Sequence, residues 1–436
     1  MYALLDCNNF FVSCERVFNP ALNNKPVIVL SGNDGCVIAR SNEAKQLGIK
    51  MGVPAFQIRE LIQRHGVIIY SGNHELYRDM SHRVMSTLSE LIDDDIQIYS
   101  VDEAFFTLDT TAILNPTEYL KELTAKITKY VGIPVSIGAG ETKTLAKIAS
   151  HIAKREYNNR GNSYILENPT DIETRLKSLP TNEVWGLGRK TSDSLARYNI
   201  YSAYEFTQLP RKQVRSLWNV TAERTWLELH GEDCSDTHGV KDIRKSISVS
   251  RTFGSIIYDI ETLSEAVVTF ASQAAVKLRG QHSVTSSITV YIRGNIHNQS
   301  LDFYSNSTFA TIPTPTASTL EIVRYATSLL KSIYRKGYAY KKAGIILTEI
   351  VDESSIQLSL FNPIDEGKHK RLMQAIDRIN SSASSSKIKL LSEGLNKHWQ
   401  PKELHKSQAF STKLNEIITI NCTEKGEKTK NKSLPL

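Results

Sequence analysis

The chain has 436 residues, of which 40% are hydrophobic, and its formal net charge is +7. This length exceeds what one hydrophobic core usually serves, so about two to four domains are expected. Between Lys241 and Ile350 there are 13 Lys and Arg against 7 Asp and Glu, so +6 of the charge lies in that segment. The basic excess favours a polyanionic partner without identifying it.

The cysteines and the hydropathy pattern argue against a secreted or membrane protein. The five cysteines are irregularly spaced and form no C-x-x-C pair or zinc-type grouping, which is typical of buried thiols in a reducing compartment. No apolar run is long enough to cross a bilayer, and no basic segment precedes the apolar residues near Met1. A cytoplasmic protein with no membrane association is therefore expected.

In the amino-terminal part, apolar runs predict strands at 2–5, 25–30, 36–40, 68–70 and 133–137 and a hairpin at 96–108. Helices are predicted at 41–47 and 75–92, from a capped start at 115–118, and over the glycine-bounded stretch 138–154. The order resembles a split β-α-β sheet with a small basic unit inserted. Lysines beside the start of the last helix suit a phosphate, although simple solvation is the alternative for each of them.

Three carboxylates in this part are candidates for a site. Asp102 and Glu103 lie inside an otherwise apolar hairpin, where burial requires a basic partner or a bound cation. Asp6 follows the first strand, and for Asp6 alone an ordinary turn is the commoner explanation. The acidic run 93–95 at a helix end is expected to be solvated.

From about 169 to 236 short helices are predicted, and a second β-α-β-β-α-β unit follows. The helical stretch contains Gly186 and Gly188 followed by Arg189 and Lys190, for which contact with a DNA backbone and an ordinary turn are about equally expected. In the second unit, strands are predicted at 246–253, 287–293, 301–304 and 343–350 and helices at 262–278 and 317–334. Their alternation leaves one polar face suited to backbone phosphates, formed by Ser248, Ser250, Thr252, Thr289, Tyr291 and Arg293.

The last 86 residues have a different character. A serine patch at 381–386 and a lysine-rich end at 423–436 predict partial disorder. Apolar residues cluster around Trp399 and at 414–420. Ahead of them, three large apolar residues stand among polar ones in a linker context, which predicts a docking peptide formed by Gln357, Leu358, Ser359, Leu360 and Phe361.

Four ordered motifs resemble the Y-family DNA polymerases, and among them the UmuC type. The motifs are Asp6-x-Asn-x-Phe-Phe-x-Ser-Cys-Glu15, Cys36-Val-Ile-Ala-Arg40, Tyr99-Ser-Val-Asp-Glu-Ala-Phe105, and the stretch from Ser136 to Lys154. The resemblance covers nearly the whole chain. It implies an α+β, multi-domain, right-hand polymerase with a ferredoxin-like palm, small fingers, a helical thumb, a βαββαβ little finger and a carboxy-terminal tail.

The resemblance also implies domain boundaries. The palm would comprise 1–24 and 72–168, the fingers 25–71, the thumb with its helix-hairpin-helix 169–236, the little finger 241–350, and the tail 351–436. The implied activity is error-prone, template-directed addition of dNTPs to a primer across damaged DNA, in the SOS response. Small fingers leave an open site with little surface to check the nascent base pair.

The resemblance assigns roles to individual residues. Asp6, Asp102 and Glu103 would be the catalytic carboxylates and hold two Mg²⁺ ions together with the backbone carbonyl of Cys7, which suits phosphoryl transfer. Phe11 would be the steric gate that rejects a ribose 2′-hydroxyl. The other implied nucleotide contacts are Phe10, Arg40, Lys45 and Lys154, and the implied DNA contacts are Gly186, Gly188, Arg189, Lys190, Arg251 and Arg293.

One departure from the family pattern concerns the triphosphate. Where many members have Tyr and Arg, this chain has Asn42 and Lys45, so it keeps one charge but loses the bidentate guanidinium. UmuC-type members share this tendency. The implied partners are primer-template DNA, dNTP, a sliding clamp bound by 357–361, and a UmuD′-like accessory dimer and a RecA-type filament met by the tail. Location at the bacterial nucleoid follows.

Two other classes of function stay open on the residues alone. A nuclease or a cyclase also pairs carboxylates with two metals on a similar sheet. A DNA-binding scaffold that recruits a clamp would share the basic segment and the docking peptide. Extension of a primer with dNTPs separates the polymerase from both.

Overall fold

A computed structural model gives the fold. It describes residues 1–156, 162–234, 243–296, 301–355, 366–382, 387–395 and 397–418, and all structural statements concern these residues. They form two compact units. Unit 1 is drawn from Met1–Ser31, Gly35–Thr237 and His405–Leu436, and unit 2 from Gly32–Asp34 and His238–Leu404. No described helix is both long and apolar enough to cross a membrane.

Unit 1 contains eight strands and eleven α-helices among its described residues, besides short 3-10 turns. The strands are β1 Tyr2–Cys7, β2 Val27–Leu30, β3 Val37–Arg40, β4 Ile68–Ser71, β5 Gln97–Ile98, β6 Glu103–Thr107, β7 Val135–Gly140 and β8 Ser163–Leu166. The helices are α1 Phe10–Phe18, α2 Asn42–Gln46, α3 Arg59–His65, α4 His74–Ile92, α5 Pro116–Val131, α6 Lys143–Glu156, α7 Pro169–Ser178, α8 Arg189–Ala196, α9 Ala203–Thr207, α10 Arg211–Leu217 and α11 Val220–Leu229.

The strands of unit 1 form two sheets. A five-stranded sheet has the order β5-β6-β1-β7-β8, and a three-stranded sheet has the order β3-β2-β4. The central strand β1 is antiparallel to both of its neighbours and is buried along most of its length. Helices α4 and α5 pack beside it through one apolar stripe each, as their 3.6-residue periodicity predicts. The first strand therefore lies at the centre of the core.

Unit 2 is built on one four-stranded sheet. Its elements are β9 Ile247–Ile257, α12 Ile260–Arg279, β10 Ser283–Gly294, β11 Ser305–Thr316, α13 Thr319–Ile333, β12 Tyr340–Asp352 and α14 Glu366–Ser381. The strand order is β11-β10-β12-β9, with antiparallel pairing throughout. Helices α12 and α13 cover the apolar face, and the indole of Trp399 completes the same core at 4% exposure.

Two predictions from the sequence are wrong. The strand expected at 301–304 is not formed there, and the strand begins at Ser305 instead. Its polar residues and two prolines hide the alternation, and prolines are tolerated because β11 is an edge strand. The glycines at 138 and 140 end strand β7 rather than opening a helix, which begins at Lys143.

Candidate active site

The pairing of β1 with β6 brings together carboxylates that are distant in sequence. Asp6 lies directly opposite Glu103 in the antiparallel register. The backbone N–H of Cys7 donates to the carbonyl oxygen of Asp102 at 2.9 Å. All three candidate carboxylates therefore stand on adjacent backbone positions at one end of the central sheet.

Two lysines of α6 are the counter-ions of this acidic group. Lys154 forms an ion pair with Asp6, and the ammonium of Lys147 contacts both carboxylate oxygens of Glu103 at 2.9 and 3.0 Å. The Asp102 carboxylate accepts the hydroxyl of Ser100 at 2.5 Å. Within the described ranges, no three His, Cys, Asp or Glu side chains form a group that could hold a metal ion.

The electrostatics nevertheless suit a cation. Burial raises the pKa of Asp6 to about 7, against the lowering effect of Lys154, and the nearby Glu103 and Asp102 raise it further. Burial also raises the pKa of the Cys7 thiol, so its sulfur stays protonated and only its backbone carbonyl offers a ligand. Hard carboxylate and carbonyl oxygens are what Mg²⁺ prefers, so the donor set fits a divalent ion.

A cavity of about 440 Å³ opens beside the ion pairs. Asp6, Glu103, Lys147, Lys154 and Trp185 are among its lining residues. The ammonium of Lys147 also lies 4.6 Å from the centroid of the Tyr99 ring, and the Trp185 indole N–H donates to the Tyr99 hydroxyl at 3.0 Å. The Lys147 ammonium thus has an aromatic neighbour as well as its carboxylate partner.

A second cavity, of about 270 Å³, contains all the predicted nucleotide contacts. It is lined by Phe10, Phe11, Arg40, Lys45 and Lys154, together with Asp102 and Cys7. Three cations, two aromatic rings and a carboxylate thus surround one volume. Lys154 lines both cavities, so one ammonium is within reach of groups in either.

Two of the basic side chains of this second cavity have polar partners. Arg40 donates to the carbonyl of Ile49, while the side chains of Lys45 and Asn9 both donate to Asn42 Oδ1, at 3.5 and 3.0 Å. Burial lowers the pKa of Lys45, and repulsion from Arg40 and Lys154 lowers it further. Asn42 stands where the family often has Tyr, and its Oδ1 is the common acceptor of Lys45 and Asn9.

The aromatic wall of the cavity is also fixed. The ring of Phe11 stacks on Tyr77 with centroids 4.4 Å apart and planes 15° apart. The hydroxyl of Tyr77 donates to Glu15 Oε1 at 2.7 Å. Phe11 and Glu15 lie one turn apart on α1, so this contact ties the position of the ring to its own helix.

Sequence reasoning named Lys147 only among lysines suited to a phosphate and did not pair it with Glu103, and it missed Trp185 and Asn9 as site residues. Lys147 could have been placed at the site, because it lies seven residues before Lys154 and therefore on the same face of α6. Trp185 and Asn9 come from a loop and from a helix N-cap in the left-handed conformation. Trp185 and Asn9 contact residues far away in the sequence, and no local sequence pattern predicts those contacts.

The predicted DNA contacts occupy several settings. In unit 1, Gly186 has φ +89° and a Cβ there would lie 2.1 Å from Thr225 Oγ1, while Gly188 caps α8. Arg189 and Lys190 are exposed on the first turn of that helix. The glycine at 186 thus permits a close turn next to two exposed cations.

In unit 2, the register places Arg293 beside Lys342, which pairs in turn with Thr252 on the polar face. Arg251 pairs with the buried Ala343, so it alternates to the opposite side while remaining exposed. Lys342 joins the polar face as a residue that sequence reasoning had not included. The predicted docking peptide, 357–361, lies outside the described residues.

Comparison with protein families matches three segments. Residues 5–151 match the impB/mucB/samB family and residues 244–360 its C-terminal domain. Residues 370–420 match a domain of unknown function, DUF4113. The first segment contains all three site carboxylates.

Curated relatives and a solved structure are consistent with this family match. The chain is 37% identical to the protein UmuC of Salmonella typhimurium over 96% of this chain and 100% of that protein, and 36% identical to ImpB of the same organism over 96% and 99%. It is 27% identical to DNA polymerase IV of Caulobacter vibrioides over 88% and 92%. A solved Dbh–Dpo4 chimera of the Y family has a TM-score of 0.61 at 21% identity, covering 80% of this chain and 99% of that one. The chain therefore belongs to the UmuC type of the Y-family DNA polymerases.

Proposed function

We propose that this chain, a translesion DNA polymerase of SOS mutagenesis, adds dNTPs to a primer 3′-hydroxyl at the carboxylates Asp6, Asp102 and Glu103. The observation that carries the proposal is the β1–β6 register, which sets Asp6 opposite Glu103 next to Asp102. Y-family polymerases use divalent metal ions. Two Mg²⁺ ions held by these residues and the Cys7 carbonyl would stabilise the attacking and leaving oxygens in phosphoryl transfer.

The residues of the second cavity bind and orient the nucleotide in this proposal. Arg40, Lys45 and Lys154 offer three positive charges to a triphosphate. The fixed ring of Phe11 closes the sugar side and rejects a 2′-hydroxyl by steric clash, as the stacking on Tyr77 supports. Phe10 completes the aromatic wall. Because the triphosphate supplies several negative charges, Lys154 has an alternative partner to Asp6 when a nucleotide is bound.

The DNA contacts, in this proposal, lie on other elements than the strands that carry the carboxylates. Gly186, Gly188, Arg189 and Lys190 of a helix-hairpin-helix contact the backbone of the duplex, and Arg251 and Arg293 contact it from the little finger. The domain division would be palm at 1–24 and 72–168, fingers at 25–71, thumb at 169–236, little finger at 241–350 and tail at 351–436. The three sheets support this division, since two lie within the proposed palm and fingers and the third passes the proposed end of the little finger by only two residues, at Asp352.

Further partners follow from the family. We infer that 357–361 binds a sliding clamp and that the tail meets a UmuD′-like dimer and a RecA-type filament, in the cytoplasm at the nucleoid. The apolar residues Leu358, Leu360 and Phe361 in a polar context support the clamp contact.

Primer extension past an abasic site, with and without clamp and accessory dimer, tests the activity. Asp102→Ala should reduce synthesis by about a thousandfold or more while leaving DNA affinity unchanged, because it removes a metal ligand and no DNA contact. Asp95→Ala, which removes the same charge from an exposed loop, is the control. Unchanged synthesis by Asp102→Ala would refute the assignment, and release of nucleotides without extension would refute the polymerase.

A further inference from the structure

The carboxy-terminal part of the DUF4113 region packs against α1, which carries Phe11, and against α4, which carries the Tyr77 ring that stacks on it. This tail segment is defined as His405–Phe410 and belongs to unit 1. The backbone N–H of Ser71 donates to the carbonyl of His405 at 3.0 Å, and the N–H of His405 donates to Ser71 Oγ at 2.9 Å. At the other end the ring of Phe410 stacks on Phe18, with centroids 4.8 Å apart and planes 10° apart. The segment is therefore fixed at both ends.

Asn73 holds the middle of the tail segment. Its side-chain amide donates to the carbonyl oxygens of Ser407 and Gln408, both at 3.2 Å, and to Ser407 Oγ at 3.1 Å. The other side-chain atom, Oδ1, caps α4 by accepting from the N–H of Leu76. Asn73 is fully buried. One side chain thus joins the start of α4 to the tail segment.

Ser407 then connects α4 to α1 through a buried carboxylate. Its hydroxyl donates to Glu15 Oε1 at 2.9 Å, the same oxygen that accepts the hydroxyl of Tyr77 at 2.7 Å. Glu15 is 1% exposed, and a carboxylate so buried is stable only with donors to satisfy it. Burial raises the pKa of Glu15, and the two hydroxyl groups act against that rise. One of these two hydroxyl groups, that of Ser407, belongs to the tail segment.

The hydrogen bonds around Glu15 are connected to the Phe11 ring through one further residue. Asn73 and Tyr77 are one turn apart on α4, and Phe11 and Glu15 are one turn apart on α1. Tyr77 both stacks on Phe11 and donates to Glu15. The relative placement of the two helices, and with it the ring of Phe11, therefore depends on a hydrogen-bond set that includes Ser407.

We propose that the tail segment is a positioning element for sugar selection, in which Ser407 sets the Phe11 ring by joining Asn73 to Glu15. This inference rests on the proposed role of Phe11 as steric gate. The DUF4113 region is described as a domain of unknown function, and this inference gives part of it a function. Residues near its carboxy-terminal end would help to set the sugar specificity of the amino-terminal catalytic region.

The test compares the ratio of kcat/KM for a dNTP to that for the matching ribonucleotide in the full-length chain. Ser407→Ala is expected to lower this ratio about three- to tenfold, because loss of a hydrogen bond to the buried Glu15 carboxylate makes the placement of α1 against α4, and so of the Phe11 ring, less well defined. A fall in the folded fraction cancels from the ratio, so a merely structural role would leave it unchanged. Ser407→Thr, which keeps the hydroxyl, should restore the ratio.

Matched variants separate the possible outcomes. Ser411→Ala is the control, because its hydroxyl, also in the tail, has no hydrogen-bond partner in the described chain. Ser407→Cys replaces the hydroxyl by a slightly larger thiol that is a weaker donor, and it should shift the ratio in the same direction as Ser407→Ala. If Phe11→Ala lowers selectivity and Ser407→Ala does not, the inference is overturned and the gate stands. If Phe11→Ala has no effect, the gate and this inference both fall.

Discussion

Glu15 shows how the setting of one residue gives it a role that its sequence position does not reveal. It closes the first motif of the chain, where its neighbours are Cys14 and Arg16, and nothing there distinguishes it from a surface acid. The fold buries it among Tyr77 and Ser407, which lie 62 and 392 residues away. Its pKa is raised because burial disfavours the charged form.

The raised pKa predicts how stability depends on pH. Between the unfolded value, near 4.5, and the higher folded value, the folded state binds more protons, so stability falls as pH rises through that window and the loss is complete above it. Glu15→Gln keeps an oxygen that accepts from both hydroxyls but does not titrate. The variant should therefore have a higher thermal unfolding midpoint than the parent at pH 7, and the difference should shrink as pH falls towards 4.5.

A variant with the opposite sign is the control for this pH series. Backbone N–H groups of Tyr201 and Ser202 lower the pKa of Glu205. Glu205→Gln should lose stability at pH 7, and that loss should diminish in acid as the parent carboxyl becomes protonated. A difference for Glu15→Gln that does not vary with pH would contradict the assigned pKa direction.

At the scale of elements, the contact between β7 and α6 positions the lysines of the site. A Cβ built on Gly138 would lie 1.8 Å from the backbone nitrogen of Ser150, and one on Gly140 would lie 2.8 Å from Leu145 Cβ. The helix backbone thus lies directly on the strand. This approach brings Lys147 and Lys154 to the acids of β1 and β6.

Substitution at this contact should affect both stability and synthesis. Gly138→Ala forces backbone away from backbone, and we expect a loss of about 3 kcal/mol or more in the free energy of unfolding. Primer extension by the remaining folded fraction should also fall, since α6 carries both counter-ions. Gly280→Ala, whose Cβ would meet its nearest atom at 3.4 Å, is the control. Equal stability of the two variants would show that the helix moves freely.

The same elements show what a sequence alone can provide. Strong periodicity predicted α4, a short apolar run predicted the central strand β1, and a cap with Pro predicted the start of α5 at the observed residue. Strand β8 and helix α14 were missed, the latter because it is mostly polar. The glycines of β7 were misassigned because close helix packing and a tight turn favour the same residue type.

For the site itself, the resemblance supplied the residue list, and the structure supplied the connections between its members. The carboxylates and cavity cations come from motifs that are local in sequence. Lys147 facing Glu103, and Ser407 facing Glu15, are contacts between residues far apart along the chain. No periodicity encodes such pairs, because each partner is locally an ordinary helical or loop residue.

At the scale of the whole molecule, the DUF4113 region contributes to both units. In unit 2, Trp399 packs its indole edge-to-face on Phe270 at 5.3 Å, and Arg279 makes two hydrogen bonds to the carboxylate of Asp377, at 2.6 and 2.8 Å. In unit 1 the tail segment packs on α1 and α4. Trp399, expected from sequence only as part of an apolar island in a tail, is thus part of a core.

The net charge of the chain predicts a salt-dependent affinity for DNA, with its origin on one face of unit 2. Arg293 and Lys342 are neighbours across β10 and β12, on the side of the sheet that helices do not cover. Each phosphate contact that is lost should reduce the slope of log affinity against log salt by about 1, independently of DNA sequence. Fluorescence anisotropy with primer-template DNA at several salt concentrations measures that slope.

Charge-matched variants locate the contact. Arg293→Ala and Lys342→Ala should each weaken binding and flatten the salt dependence, whereas Lys277→Ala, which removes the same charge from the exposed surface of α12, should alter neither. Arg251 pairs with the buried Ala343 and so lies on the opposite side of the sheet from Arg293. The variant Arg251→Ala therefore measures the contribution of that other side to DNA binding. A change in slope for Lys277→Ala as large as that for Arg293→Ala would mean that the charge acts through the overall field of the molecule and not through contacts on the polar face.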